Sequence, residues 1–227
     1  AMSLTKLGSG VALLGYYMYH GGSNPNGKLS TLQESRAIGY ANDLPEINYD
    51  FNAPIRQYGT ISDNYREIRL LAYFLQDFGA DLAVLPADID PDFVKPGDTH
   101  TLRVSVRHDD THGYVFVNNY QRRLTMDAHK DVVLEGKTKG EPVHFPKTDI
   151  ASGEYAFYPY NMKLKNAVLV SALATPLCKL SCKDEDVYVF YGDKDPQFTW
   201  DGTPAKVLHL SREDALSAAR VTLKDHQ

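Results

Sequence analysis

An almost wholly apolar and aromatic run, residues 11–19, ends abruptly at His20. Gly21-Gly22 and then Asn24-Pro25-Asn26-Gly27 follow, and neither a strand nor a helix continues through such a sequence. The run reads as a single buried strand that stops at a polar rim. A strand ending in Gly-Gly beside a His and an Asn lets backbone approach a ligand closely, with polar side chains at the edge. A strand followed by a plain tight turn has the same appearance, so this stretch alone does not decide a function.

A second segment, Asn48-Tyr49-Asp50-Phe51-Asn52-Ala53-Pro54-Ile55-Arg56-Gln57-Tyr58-Gly59, changes the balance. Taken together, the two resemble the β-galactosidases of glycoside hydrolase family 35. In that family the last barrel strand ends in a Tyr-Met-(Phe/Tyr)-His-Gly-Gly-(Thr/Ser)-Asn motif. A Tyr-Asp-Tyr-Asp-Ala-Pro-Leu-x-Glu-Tyr-Gly motif lies further along. Here the first is nearly intact as Tyr17-Met18-Tyr19-His20-Gly21-Gly22-Ser23-Asn24. The second carries Phe51 at a sugar-contacting Tyr position, Asn52 for an Asp and Gln57 for a Glu. The flanking residues 6–10 and 27–31 look like the large members found in gut Bacteroidetes. Val106-Arg107-His108-Asp109, the Gly113 to Arg122 stretch and Tyr155-Ala156-Phe157-Tyr158-Pro159-Tyr160-Asn161 resemble a β-domain that follows the barrel in several such enzymes.

The resemblance implies a set of roles. His20, Asn24 and Tyr49 are candidates for the substrate-facing rim at the C-terminal end of a barrel strand, with Phe51 at the sugar-contacting position. Each could instead pin its loop, His20 and Asn24 by hydrogen bonds and Tyr49 and Phe51 by packing. Phe51 would stack on the apolar face of a galactose ring but brings no hydroxyl, which departs from strict galactose recognition. The implied partner is a galactoside or related carbohydrate, with no cofactor and no metal. The compartment is left open, periplasmic or extracellular if a signal peptide precedes the parent sequence.

A retaining glycosidase needs two carboxyl groups about 5–5.5 Å apart, one nucleophile and one acid/base. The family's two Glu motifs precede the strand ending at His20, and neither occurs here. Glu34, Glu46, Glu67, Glu135, Glu141, Glu154, Glu185 and Glu213 are scattered and read as surface carboxylates. A (β/α)8 barrel takes roughly 250 residues, and one strand with one helix cannot close it. The expected fold class is therefore α+β, mainly β: a terminal strand-loop-helix unit of a barrel (residues 1–86) followed by an antiparallel β-sandwich (residues 87–227). Such a chain is expected to be inactive alone, a non-catalytic structural or carbohydrate-binding module being the alternative. Its orphaned strand, 11–19, would seek a substitute partner, either the Ser62–Phe78 helix of its own chain or the same strand of a second copy in a symmetric dimer.

Elsewhere the pattern is local and readable. Residues 6–10 read as a loop. Ser62 or Asp63 caps a helix with an apolar stripe at Ile68, Leu71, Leu75 and Phe78, and Gly79 stands where it would end. Leu102, Val104 and Val106 alternate with Arg103, Ser105 and Arg107, a half-buried strand, and Tyr114-Val115-Phe116-Val117 returns after an Asp109 to Gly113 turn. Further strands are expected at 131–134, 154–164, 167–174 and 187–191, with Lys165-Asn166 a hairpin turn. Ser211 caps a short closing helix, Arg212 to about Leu223, with Asp214 in its first turn. A chain beginning near Pro96 is expected to fold alone.

Composition narrows the classes. With 227 residues, a net charge of −5 and 43% hydrophobic residues, the chain holds one large or two small domains. It is too acidic and unpatterned for nucleic acid, and no apolar run reaches the roughly twenty residues of a membrane helix. Cys178 and Cys182 are too far apart on an extended strand to bridge, and read as buried free thiols, with a local disulfide as the alternative. His108 and His112 flank an Asp-Asp-Thr turn and suggest either a metal or a solvated turn.

Overall fold

The structure, a computed structural model, describes residues 1–24, 48–89, 94–182, 185–204 and 206–217. Helix α1 (Met2–Gly8) precedes two dipeptide strands, β1 (Gly22–Ser23) and β2 (Asn48–Tyr49), and the long helix α2 (Asp63–Val84). Next come β3 (Ala87–Ile89), β4 (Arg103–His108), β5 (Gly113–Asn118), β6 (His129–Val132), β7 (Glu135–Gly136), β8 (Val143–His144) and β9 (Thr148–Ile150). The chain continues with β10 (Tyr155–Lys163), β11 (Val168–Leu173), β12 (Thr175–Cys182), β13 (Glu185–Tyr191), β14 (Gln197–Asp201) and α3 (Arg212–Leu216). The fold is α+β and mainly β, and its sheets are antiparallel.

A six-stranded sheet in the order β14-β11-β10-β5-β4-β3 forms the frame. Lys165-Asn166 makes the β10–β11 turn, closed by the Leu164 N–H donating to Ala167 O at 2.9 Å. On one face Tyr114, Phe116, Phe157 and Leu169 pack against Phe74, Phe78 and Leu82 of α2 and Leu7 of α1. On the other, Val106, Val115, Val117, Tyr158 and Tyr160 pack against Leu134, Phe145 and Ile150. Tyr160 and Met162 lie on one strand two positions apart yet join opposite cores. Asn161 between them has φ 49°, which breaks the alternation of extended backbone. Asparagine tolerates that conformation, and its Nδ2 donates to Thr111 O at 2.9 Å.

Helix α2 starts after Ser62, as expected, but its other features differ. Its buried residues are Phe74, Phe78 and Leu82, spaced i, i+4 and i+8, while Leu71 and Leu75 only flank the core. The helix runs through Gly79 because the next turn buries Leu82, and that burial outweighs the roughly 1 kcal/mol penalty of a helical glycine. It ends at Leu85, which is extended and precedes Pro86. One core therefore crosses the boundary expected between residues 86 and 87: α2 supplies a layer that the sheet itself lacks.

Arg107 lies on the strand face read as half-exposed, yet it is 2% exposed. Its Nε donates to Leu85 O at 2.7 Å and its Nη2 to Leu82 O at 2.8 Å, both at the C-terminal end of α2. Nη1 donates to Leu7 O at 3.0 Å, the end of α1, and to Val11 O at 3.4 Å. A planar guanidinium fork suits several carbonyls at once, and a cation there complements two helix dipoles. Desolvation lowers its pKa.

The N-terminal region departs most from expectation. Residues 2–8 are helical where a loop was expected from residue 6, and Gly8 packs so tightly that a Cβ would lie 2.8 Å from the Phe116 ring. Residues 11–19 form no strand; Leu13 and Tyr17 are each 90% exposed. A strand needs a hydrogen-bonded neighbour along its length. Among the described residues the run is tied only near its two ends, with Val11 N–H donating to Lys6 O at 3.1 Å, Ile55 N–H to Tyr19 O at 3.0 Å and Gly21 N–H to Ile55 O at 2.8 Å. The end of the run touches α2 of its own chain, where the Tyr19 and Tyr65 rings lie 6.5 Å apart. In the closing segment, Ser211 and Asp214 make a reciprocal capping box. The expected helix beyond residue 217 lies outside the described residues.

Candidate functional site

The two distinctive segments meet. β1 and β2 pair antiparallel, Gly22 opposite Tyr49 and Ser23 opposite Asn48, and His20 bridges to Ile55. The glycines make this approach possible. A Cβ on Gly21 would collide with Asp50 Oδ1 and lie 2.7 Å from the Gln57 backbone N. One on Gly22 would lie 2.6 Å from Tyr49 Oη, because the Tyr49 ring covers that residue. Asp50 Oδ1 in turn accepts from Gln57 N–H at 2.5 Å, folding the second segment back on itself. Gly21→Ala is expected to part β1 from β2, at about 1–3 kcal/mol for an overpacked site. Amide NMR shifts confined to residues 19–24 and 48–58, with a lowered melting temperature, would report this; an unchanged spectrum would contradict it.

A turn from Asp50 to Ala53 presents Phe51. Ala53 N–H donates to Asp50 O at 2.7 Å, and both central residues are left-handed, Phe51 at φ 46° and Asn52 at φ 55°. Asparagine accepts that conformation readily; for phenylalanine it is unusual and costs on the order of 1–3 kcal/mol. The strained ring is 48% exposed. It stands between Tyr17, at 6.3 Å between centroids, and Tyr49, at 5.8 Å. Three rings thus form an open aromatic shelf, with Tyr58, 81% exposed, on the same segment.

Polar groups edge the shelf. Gln57 Nε2 donates to Asn48 Oδ1 at 2.8 Å and to Ser23 Oγ, crossing from one segment to the other. A carboxylate at this position would have no proton to offer Asn48 Oδ1, whereas the Gln57 amide supplies donors for both contacts. Asn48 Nδ2 reaches Tyr58 Oη at 3.4 Å. Ser62 ties the segment to α2: its hydroxyl donates to Pro54 O at 3.1 Å rather than capping the helix.

The four expected site residues fall out as follows. Tyr49 and Phe51 are adjacent in the shelf. His20 is exposed, its Nδ1 turned to the Gly21 carbonyl, so it both borders the site and braces its own loop. Asn24 is half-buried just beyond β1. Tyr17, Asp50 and Gln57 were not singled out in the sequence as site-builders. For Gln57 the available signal was that the resembled motif carries a Glu at that position.

Other expected chemistry is accounted for by structural contacts. His112 Nε2 meets Asp81 Oδ1 at 2.8 Å and its Nδ1 meets Asp109 Oδ1 at 3.1 Å, fastening the β4–β5 turn to α2. His108 Nδ1 lies 3.3 Å from Asp110 Oδ1. Hydrogen bonds, first from the Thr111 hydroxyl, hold the Asp109 carboxyl well below the usual range. Among the described residues no group of three or more His, Cys, Asp or Glu side chains could hold a metal ion. Glu154 pairs with Lys194 at 2.6 Å, and Glu135 lies 3.3 Å from His144. Glu34 and Glu46 lie outside the described residues. Cys178 is a free, half-buried thiol, and burial pushes its pKa up. Compared with models of known protein families and with curated protein sequences, the chain matches none.

Proposed function

We propose that this chain is part of a retaining glycoside hydrolase of the β-galactosidase type, acting on terminal β-galactosides. In this reading it supplies a section of the sugar-facing rim, as the terminal unit of a (β/α)8 barrel, and the antiparallel β-sandwich domain that follows. The observation that carries the reading is the union of the two motif segments. Their glycines, Tyr49, Asp50 and Gln57 interlock, and the product of that interlocking is an exposed aromatic ring, Phe51, held in a costly conformation. A backbone outlier that leaves half of an aromatic ring exposed supports a binding role, since full burial of the ring is not what the strain secures.

The chemistry assigned to the shelf is binding. Phe51 and Tyr17 offer π faces to the C–H face of a pyranose, and His20, Asn24 and Asn48 offer polar atoms at its edge. Bond cleavage needs a carboxyl pair that the 227 residues do not carry in the family's motifs. The chain is therefore expected to bind a methyl β-galactoside weakly without hydrolysing a chromogenic one. Saturation-transfer NMR that detects contact in the parent and loses it in Phe51→Ala supports the reading. Turnover that survives repurification and vanishes on changing a Glu of this chain would overturn it.

A second reading is a non-catalytic module, structural or carbohydrate-binding. The core shared by α2 and the six-stranded sheet favours it, because that core needs no barrel strands to close it.

A further inference from the structure

A hollow adjoins the turn that presents Phe51. Arg56, Thr60, Ile61, Ser62, Asp63 and Asn64 line it, and its volume of about 490 Å³ lies within the roughly 300–1,000 Å³ usual for small-molecule sites. Only Ile61 of the six is apolar, so the hollow suits a polar or charged group. Arg56 joins it to the shelf. Its Nη1 donates to Asn52 Oδ1 at 3.5 Å, and Asn52 follows Phe51 in the turn. The backbone at Arg56 is fixed: its N–H donates to Thr60 O at 2.8 Å, and its carbonyl accepts from Gly59 N–H at 2.9 Å. A guanidinium carries five N–H donors. Among the described residues the Arg56 side chain makes only that one long hydrogen bond, to a neutral amide oxygen, and no ion pair. The single carboxylate of the hollow, Asp63, is engaged with Arg66 Nη1 at 3.1 Å.

We infer that Arg56 is a specificity-determining residue for an oxyanion carried by the sugar, so that the preferred ligands are galactosides bearing a sulfate ester or a carboxylate at C6. The inference rests on the galactoside reading of the shelf and deepens it. A guanidinium fork meets sulfate or carboxylate oxygens through two parallel N–H donors, a charge-assisted pairing that a sugar hydroxyl does not match. C6 is the position because it is exocyclic. A pyranose lying on Phe51 keeps its ring hydroxyls at the ring's rim, whereas the C6 arm rotates and reaches past the rim to a group beside the turn. An exposed ion pair ordinarily gains little, since two long side chains must be ordered and two partners desolvated. Here the backbone at Arg56 is already held, and the guanidinium gives up no carboxylate partner on binding. Because the hollow is open to water, salt screens the attraction.

The test titrates three ligands into the full chain at low salt, followed by amide NMR: methyl β-galactoside, its 6-sulfate and methyl β-galacturonoside. At least one of the two anions is expected to bind about fivefold more tightly than the neutral sugar, shifting Arg56, Thr60 and Asn64 as well as Phe51. Which anion gains more tells a tetrahedral from a planar oxyanion. Raising the salt to about 0.5 M should remove most of the advantage. Arg56→Gln should bring all three ligands to within about twofold of one another. Arg122→Gln, the same charge change at an exposed residue outside the hollow, should keep the advantage. Equal binding of anionic and neutral sugars in the parent, with shifts at Phe51, would overturn this inference and leave the galactoside reading standing. An advantage that survives Arg56→Gln would also overturn it, as would inorganic sulfate shifting Arg56 as strongly as the 6-sulfate does. No shift at Phe51 with any of the three sugars would overturn both readings.

Discussion

Replacing Arg107 by methionine is expected to destabilise the chain by about 3–5 kcal/mol, although the substitute is apolar and of similar length. The guanidinium satisfies Leu82 O, Leu85 O and Leu7 O at 2.7–3.0 Å in a site closed to water. Methionine leaves those carbonyls buried without donors, and each hydrogen bond to a charged group is worth roughly 1.5–3 kcal/mol. In a chain of this size about 1 kcal/mol moves the melting temperature by roughly 2–4 °C, so a fall near 10 °C is expected. Lysine keeps the charge but cannot reach three carbonyls from one point, and Arg107→Lys should fall between the two. A melting temperature for Arg107→Met unchanged from the parent would mean that the helix ends do not depend on this residue.

A chain beginning at Pro96 is expected not to reach a cooperative native state. Its strands from β5 onward keep their ladder partners, which is why the sequence suggested independent folding. What it loses is β3, the edge neighbour of β4, together with α1 and α2, which cover Tyr114, Phe116, Phe157 and Leu169. A fully buried side chain of this size is worth about 1.5–3 kcal/mol, and uncovering several removes an amount comparable to the roughly 5–15 kcal/mol stability of a domain. Collapsed NMR dispersion and a broad denaturant transition are the expected observations. A sharp transition with dispersed amide signals would place the domain boundary after α2.

The features legible in the sequence are those set by neighbours in the chain. The start of α2 after Ser62, the Lys165-Asn166 turn and the Ser211–Asp214 capping box depend on a few adjacent residues and stand where their patterns put them, although the Ser62 hydroxyl bonds Pro54 O instead of capping the helix. Residues 11–19 show the limit. Apolarity reports that a segment needs covering, but a strand also needs a ladder partner, and no residue in the run specifies one. Gly79 shows another: its preference for a helix end is worth about 1 kcal/mol, less than the burial of Leu82 in the next turn. Arg107 was hidden because alternation marks which residues share a face, and here the face read as solvated receives two helix ends. In the candidate site, Gly21-Gly22 and Phe51 could be singled out by residue type. The contacts that demand the glycines, Asp50 and Gln57 on Gly21 and Tyr49 on Gly22, join positions far apart in the chain.

The central claim is that the union of the two segments makes a sugar-binding shelf. Its most direct test is a two-dimensional amide and aromatic NMR titration of the full chain with methyl β-galactoside, with the methyl glucoside epimer as comparison. The predicted result is a saturable set of shifts at Gly21, Gly22, Tyr49, Phe51 and the Tyr17 ring, larger for the galactoside and absent in Phe51→Ala. No shifts at these residues up to the solubility of the sugar, or shifts that survive Phe51→Ala unchanged, would contradict it.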